Sequence, residues 1–146
     1  MRYRLLDEQP GHRVISVAME VGDQAVAKLL ELATELDLRA SEITGVGGFH
    51  GAKLAFFDVD NGTFIENQFD EQFEVAAFVG NLTREEGSDA QHLHAHVVLG
   101  LSDGTTRGGH LVEATVRPTL ELMIHESPAN VPRGTDSKTG WVVMKP

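Results

Sequence analysis

No cysteine occurs in this chain of 146 residues. That absence removes disulfides, thiolate metal sites and cysteine nucleophiles together, and with them the staples of a small secreted scaffold. Long apolar runs are missing as well. No stretch reaches the roughly 18 residues of a membrane-spanning helix, and the opening Met-Arg-Tyr-Arg-Leu-Leu-Asp-Glu lacks the apolar core of a signal peptide. The expectation is a cytoplasmic protein that does not engage membranes. Basic residues are few, 12 against 22 acidic ones, for a formal charge of −10. DNA affinity is built largely from Lys and Arg neutralising phosphates. Here the basic residues are scattered, with no cluster longer than Arg2-Tyr3-Arg4 and no Arg-Gly-Arg-Pro type of hook to enter a minor groove.

What the chain does hold is histidine. Four of the seven lie between Gln91 and Val112. On a strand, alternate side chains leave the same face, so His92, His94 and His96 form a row while Leu93, Ala95 and Val97 form an apolar opposite face. The position of His110 depends on the turn between. With Asp103 and Gly104 as a two-residue turn, His110 faces Val97 and points away from the row. With Ser102, Asp103 and Gly104 as a three-residue loop, Gly104 left-handed, His110 faces His96. Gly108 and Gly109 add the option of a bulge that shifts this register. Facing Cβ atoms lie about 5 Å apart, within reach of imidazoles converging on one ion. Three such nitrogens suit zinc, which then keeps a fourth position open. The plain alternative is a row of solvated histidines.

Along the rest of the chain, residues 3–6 and 13–20 read as strands around a Gln9-Pro10-Gly11 turn. Asp23 is placed to cap a helix whose apolar stripe is Val26, Leu29, Leu30, Ala33 and Leu36, fading near Asp37. The glycines of residues 43–51 fit no phosphate-loop spacing and permit a tight bend or a close backbone approach instead. His50 there, and His12 at a turn, are ordinary loop histidines. Residues 53–58 and 63–68 flank an Asn61-Gly62 hairpin tip, where Asp58, Asp60 and Asn61 serve as turn residues rather than as a calcium loop. Residues 73–82 read as a central strand with Phe73, Val75, Ala77 and Val79 on one face and Ala76 and Phe78 on the other, and 83–90 as a flexible loop. Past His110, the strand at 111–116 meets a break or an edge at Arg117-Pro118, and 119–125 alternates again with Leu120, Leu122 and Ile124 together. The tail 127–139 is loop-like, and the apolar residues 141–144 are expected to dock on the domain or on a neighbouring subunit. Mostly hairpin-linked strands with one main helix packed on them give an α+β fold with a mostly antiparallel sheet, in one domain over residues 1–146.

The string His94-x-His96-Val-Val-Leu-Gly, then Asp103-Gly104, then Gly108-Gly109-His110-Leu111, resembles the central motif of the plants-and-prokaryotes-conserved (PPC) domain in its small stand-alone bacterial form. Thr44-Gly45-Val46-Gly47-Gly48, Phe73-Glu74-Val75 with Gly80-Asn81, and Pro118-Thr119-Leu120-Glu121 extend the likeness over nearly the whole chain. The resemblance implies the same α+β architecture, a homotrimer, a metal held by His94, His96 and His110, and a link to DNA-binding or transcription-associated proteins. His92 lies outside the family pattern.

Three functions compete. One is a homotrimeric metal-binding protein with a regulatory or interaction role. Another is a metal-dependent enzyme whose three-histidine zinc site activates water on a small substrate, with Glu113 and Arg107 as candidate helpers. In the third the metal is only structural. Direct DNA binding is doubtful on charge, although Arg2, Arg4, Arg13 and Arg39 could gather on one face. The isolated chain is therefore expected to leave a DNA duplex unshifted in a mobility assay near physiological salt. Submicromolar binding that weakens steeply with added salt contradicts this.

Overall fold

A computed structural model describes residues 1–146. Eight strands and one helix follow in the order β1 (Arg2–Gln9), β2 (His12–Met19), α1 (Ala25–Glu35), β3 (Ala40–Asp58), β4 (Thr63–Arg84), β5 (Gln91–Gly100), β6 (Thr106–Glu126), β7 (Arg133–Thr135) and β8 (Val142–Met144). The main sheet has the order β1-β2-β6-β3-β4-β5, every named pairing in it is antiparallel, and β5 also pairs with β6. The strands β3, β4, β5 and β6 thus form a closed circuit of pairings, in which β5 meets β6 over His96–Gly100 and the outer half of β4 pairs with β3 alone. β7 and β8 make a separate small hairpin. The expected α+β class with a mostly antiparallel sheet is what the chain adopts.

The core is a single cluster in which α1 packs against β5 and β6. Leu29, Leu32 and Ala33 of the helix are fully buried, together with Phe49, Phe78, Leu99, Leu120 and Ile124 of the sheet. The buried helical face is turned slightly from the predicted one. Leu32 and Ala25 join Leu29 and Ala33, while Val26, Leu30 and Leu36 are only partly covered. Asp23 does not cap the helix. Gln24 occupies the cap position with no side-chain bond, because the Asp23 carboxylate accepts the Glu20 N–H at 2.9 Å and pairs with the terminal amine of Met1 at 2.9 Å. A local turn bond has won the side chain.

Other departures share one cause, which is that the strands are longer and more irregular than periodicity suggests. Residues 43–51 remain inside β3, with register shifts at Gly45/Gly47 and His50/Ala52 in place of a tight bend. β6 runs through the cis Arg117-Pro118 peptide without ending, and β3 shifts register beside it between Gly47 and Phe49. In β4, a shift between Val75 and Ala77 in the pairing with β5 changes the inward face. Phe73 and Val75 are buried before the shift and Phe78 after it, so Val79 is exposed rather than buried with them. The tail expected to be loop holds β7 at Arg133–Thr135. Trp141 meets the Phe57 ring edge-on at 5.5 Å, which docks the tail on the domain itself.

Gly80 lies opposite Ala95, between His94 and His96 of β5. A Cβ there would stand 2.6 Å from the His94 carbonyl oxygen and 2.9 Å from the Ala95 Cβ. Gly80→Ala is expected to destabilise the protein by about 2 kcal/mol and to lower Tm by about 4–8 °C in a chain of this size. An unchanged melting temperature in calorimetry would show that β4 and β5 separate there without cost.

Candidate metal centre

The loop after β5 decides the site. Leu101 N–H donates to the Thr105 carbonyl and Gly104 N–H to the Leu101 carbonyl, each at 2.9 Å. The Asp103 carboxylate accepts from the Thr105 N–H at 2.9 Å and from its hydroxyl at 2.7 Å. Gly104 has φ of 82°, a conformation that glycine adopts without a Cβ penalty. The resulting register sets His96 opposite His110, Val97 opposite Gly109 and Val98 opposite Gly108. Of the alternatives left open by the turn, the three-residue loop is realised, and the two glycines introduce no bulge into the β5–β6 pairing.

His94, His96 and His110 come together. Their ring centroids are 5.3 Å (His94 to His96), 5.3 Å (His94 to His110) and 5.5 Å (His96 to His110) apart. One ring nitrogen from each lies within 4.8 Å of the others. Around zinc, with Zn–N near 2.1 Å, tetrahedral nitrogens stand about 3.4 Å apart, so the rings close by small side-chain rotations. His96 is exposed, and His94 and His110 are half-buried, so the group opens to solvent on one side. His92 shares the face but stands outside this group, as do His50 and His12.

Burial pushes the His94 imidazole down to about 4, helped by the Arg133 cation and the neighbouring histidines. Burial, followed by His96, His92 and Arg133, also lowers His110. His92 is lowered by burial and then by Arg133. Neutral imidazole is the ligand form, so at neutral pH His94 and His110 need shed no proton to bind an ion. The donor set of three imidazoles without a thiolate suits zinc or another divalent transition metal.

The proposed helpers are engaged elsewhere. Glu113 pairs with Lys53 at 3.3 Å, and the Arg107 guanidinium lies over the Phe69 ring, 4.9 Å from its centroid. The cation that does reach the site is Arg133 of β7, which the sequence reading passed over. It is buried, with 6% exposure. Nη2 donates to the Asn81 amide oxygen at 3.1 Å and lies 3.3 Å from His94 Nδ1. No spacing rule points from residue 133 to residue 94, and only the fold of the tail brings them together.

The family described as the Plants and Prokaryotes Conserved (PCC) domain matches residues 6–128. No curated protein matches the chain. Among solved structures, the fold is similar to a plant- and prokaryote-conserved (PPC) protein from Pyrococcus horikoshii. Identity is 21% and TM-score 0.83, over 99% of this chain and 95% of that one. It is also similar to a metal-containing protein from Archaeoglobus fulgidus, at 22% identity and TM-score 0.83, over 100% and 99% of the two chains. A candidate DNA-binding protein from Bacteroides thetaiotaomicron matches at 21% identity and TM-score 0.83, over 98% and 96%.

The lowered His94 pKa makes the stability of the fold depend on pH. In the metal-free protein, the unfolded chain takes up its proton from about pH 6.5 downward, while folded His94 resists it until about 4. This contribution to stability is therefore present above pH 6.5 and is lost as pH falls toward 4. Nitrogen NMR of the imidazoles at pH 5.5 should find His94 neutral in folded, metal-free protein. An imidazolium signal for His94 at that pH contradicts the assignment.

Proposed function

Because the chain belongs to the Plants and Prokaryotes Conserved domain family, we propose that it is a homotrimeric, cytoplasmic metal-binding protein with a regulatory or interaction role. One divalent ion, zinc by preference, is held in each subunit by His94, His96 and His110. The observation that carries this reading is the convergence of those three imidazoles. The similar fold of a metal-containing protein is in keeping with it.

Assembly is supported by the surface. Phe56, Val59, Phe64, Ile65 and Val142 are each more than half exposed, and four of them belong to the hairpin of β3 and β4. Exposed apolar groups gathered on one hairpin favour burial against a neighbour. The family resemblance favours two further copies of this chain as that neighbour. A regulatory role is suggested by the similar fold of a candidate DNA-binding protein. Contact with DNA itself is opposed by the net charge of −10. Of the four arginines that could gather on one face, Arg2, Arg13 and Arg39 pair with Glu20, Glu126 and Asp37, which leaves Arg4 alone without an ion pair. The role we assign therefore works through a protein or small-molecule partner.

A second reading, metal-dependent chemistry on a small substrate, is favoured by the exposure of the cluster, since three ligands leave one coordination position free. When bound, the ion would supply Lewis acidity and a more acidic water. Arg133 would hold charge beside it, and Phe64, whose ring centroid is 5.5 Å from that of His110, would limit access of water.

Native mass spectrometry of untagged protein tests the first reading in one measurement. A mass of three chains carrying three ions is expected, and replacing any one of His94, His96 or His110 by Ala should reduce the metal content sharply. A monomer mass at micromolar concentration removes the trimer, and full metal content in the His110→Ala variant removes that ligand.

A further inference from the structure

Arg133 is a buried cation without a counter-ion. None of the ion pairs of the chain includes it. Glu86, whose N–H donates to the Arg133 carbonyl, directs its carboxylate to Lys145 at 2.8 Å. Within the guanidinium, Nη1 reaches the Val142 carbonyl at 3.4 Å and Nη2 reaches Asn81, while Nε is buried with no partner. A buried charged donor left unpaired is costly, and folded proteins normally provide a partner.

The remaining contact, from Nη2 to His94 Nδ1 at 3.3 Å, does not survive metal loading. A guanidinium has only donors. If His94 binds the ion through Nε2, its proton sits on Nδ1 and a donor faces a donor. If it binds through Nδ1, that lone pair is taken. Either way Nη2 loses His94 and is left beside the unpartnered Nε. These two N–H groups lie along one edge of the guanidinium, the edge that matches the two oxygens of a carboxylate. Charge balance favours the same ligand. Three neutral imidazoles leave both charges of a divalent ion uncompensated, Arg133 adds a third, and no carboxylate belongs to the cluster.

We propose that Arg133 and the position left open by His94, His96 and His110 form one binding site for a small carboxylate anion, with the Nε–Nη2 edge of Arg133 on its oxygens. This rests on the three-histidine metal reading and names the ligand class of that site. The anion supplies the negative charge that the protein withholds, and Asn81 keeps the guanidinium in place through its bond to Nη2. A neutral molecule of the same shape gains neither interaction.

The test uses the full chain loaded with cobalt(II), whose visible absorption reports its coordination, titrated with sodium acetate at constant ionic strength. Wild type should respond saturably to acetate and not to acetamide. Arg133→Met should weaken acetate by about tenfold or more, the loss expected for hydrogen bonds to a charged group, with cobalt content unchanged. Arg133→Lys, which keeps the charge but not the two-donor edge, should fall between, and it decides the matter should the methionine variant fail to fold. Equal acetate affinity in wild type and variant overturns the proposal. So does cobalt-loaded wild type that ignores acetate, while leaving the metal site standing. Wild type that takes up no cobalt at all overturns the metal reading and this inference with it.

Discussion

The pairing of His96 with His110 is the constraint on which the site depends. Side chains alternate along a strand, so a slip of one residue between β5 and β6 would send His110 to the apolar face and bring Gly109 opposite His96. The slip is prevented from both ends. The Asp103 and Gly104 loop sets the starting register through short local bonds. Ala95, Val97 and Leu99, all buried against the helix side, hold the other face of β5 in the core. The same alternation that buries these three residues lifts His94 and His96 out of the core, so packing energy in the interior maintains the geometry of a polar site on the exterior.

The closed circuit of β3, β4, β5 and β6 extends that constraint to the whole domain. β6 serves three partners. Its first half pairs with β5 and β3, and its second half with β3 and β2. Positions that bear on the histidines are consequently spread far along the chain. Gly80 permits β4 to approach Ala95 closely, Asn81 orients Arg133, and Ala55 pairs with His110 from the opposite side. A substitution at any of these acts on the site through strand spacing. The register shifts in β3 and β4 belong to the same design, since a closed set of long strands needs local irregularities to bend.

Electrostatics give the site its character. Burial and the Arg133 cation both favour neutral His94, which suits a metal ligand, yet the same cation opposes a second positive charge. The two effects are reconciled when the loaded site also holds an anion. A chain of net charge −10 that keeps carboxylates out of this one cluster has arranged its local charge against its overall charge.

Much of this was legible in the residues alone. The alternation of His92, His94 and His96 with Leu93, Ala95 and Val97 determined the histidine face, the Asp103-Gly104 pair offered His110 two registers that a bulge at Gly108-Gly109 could still shift, and the turn and strand signals pointed to the α+β class. Such features are local, because period and turn chemistry act over a few neighbours. What only the tertiary structure decided was non-local. It chose the three-residue loop, carried β3 and β6 through glycine and proline positions that read as breaks, joined residues 63–68 and 73–82 into the one strand β4, turned Val79 outward by a register shift, and engaged Glu113 and Arg107 away from the site. It also brought Arg133 from a tail without periodicity to His94, 39 residues away in the chain. Contacts at that separation depend on the packing of whole elements, and a linear pattern carries no record of which distant side chain will fill a given space.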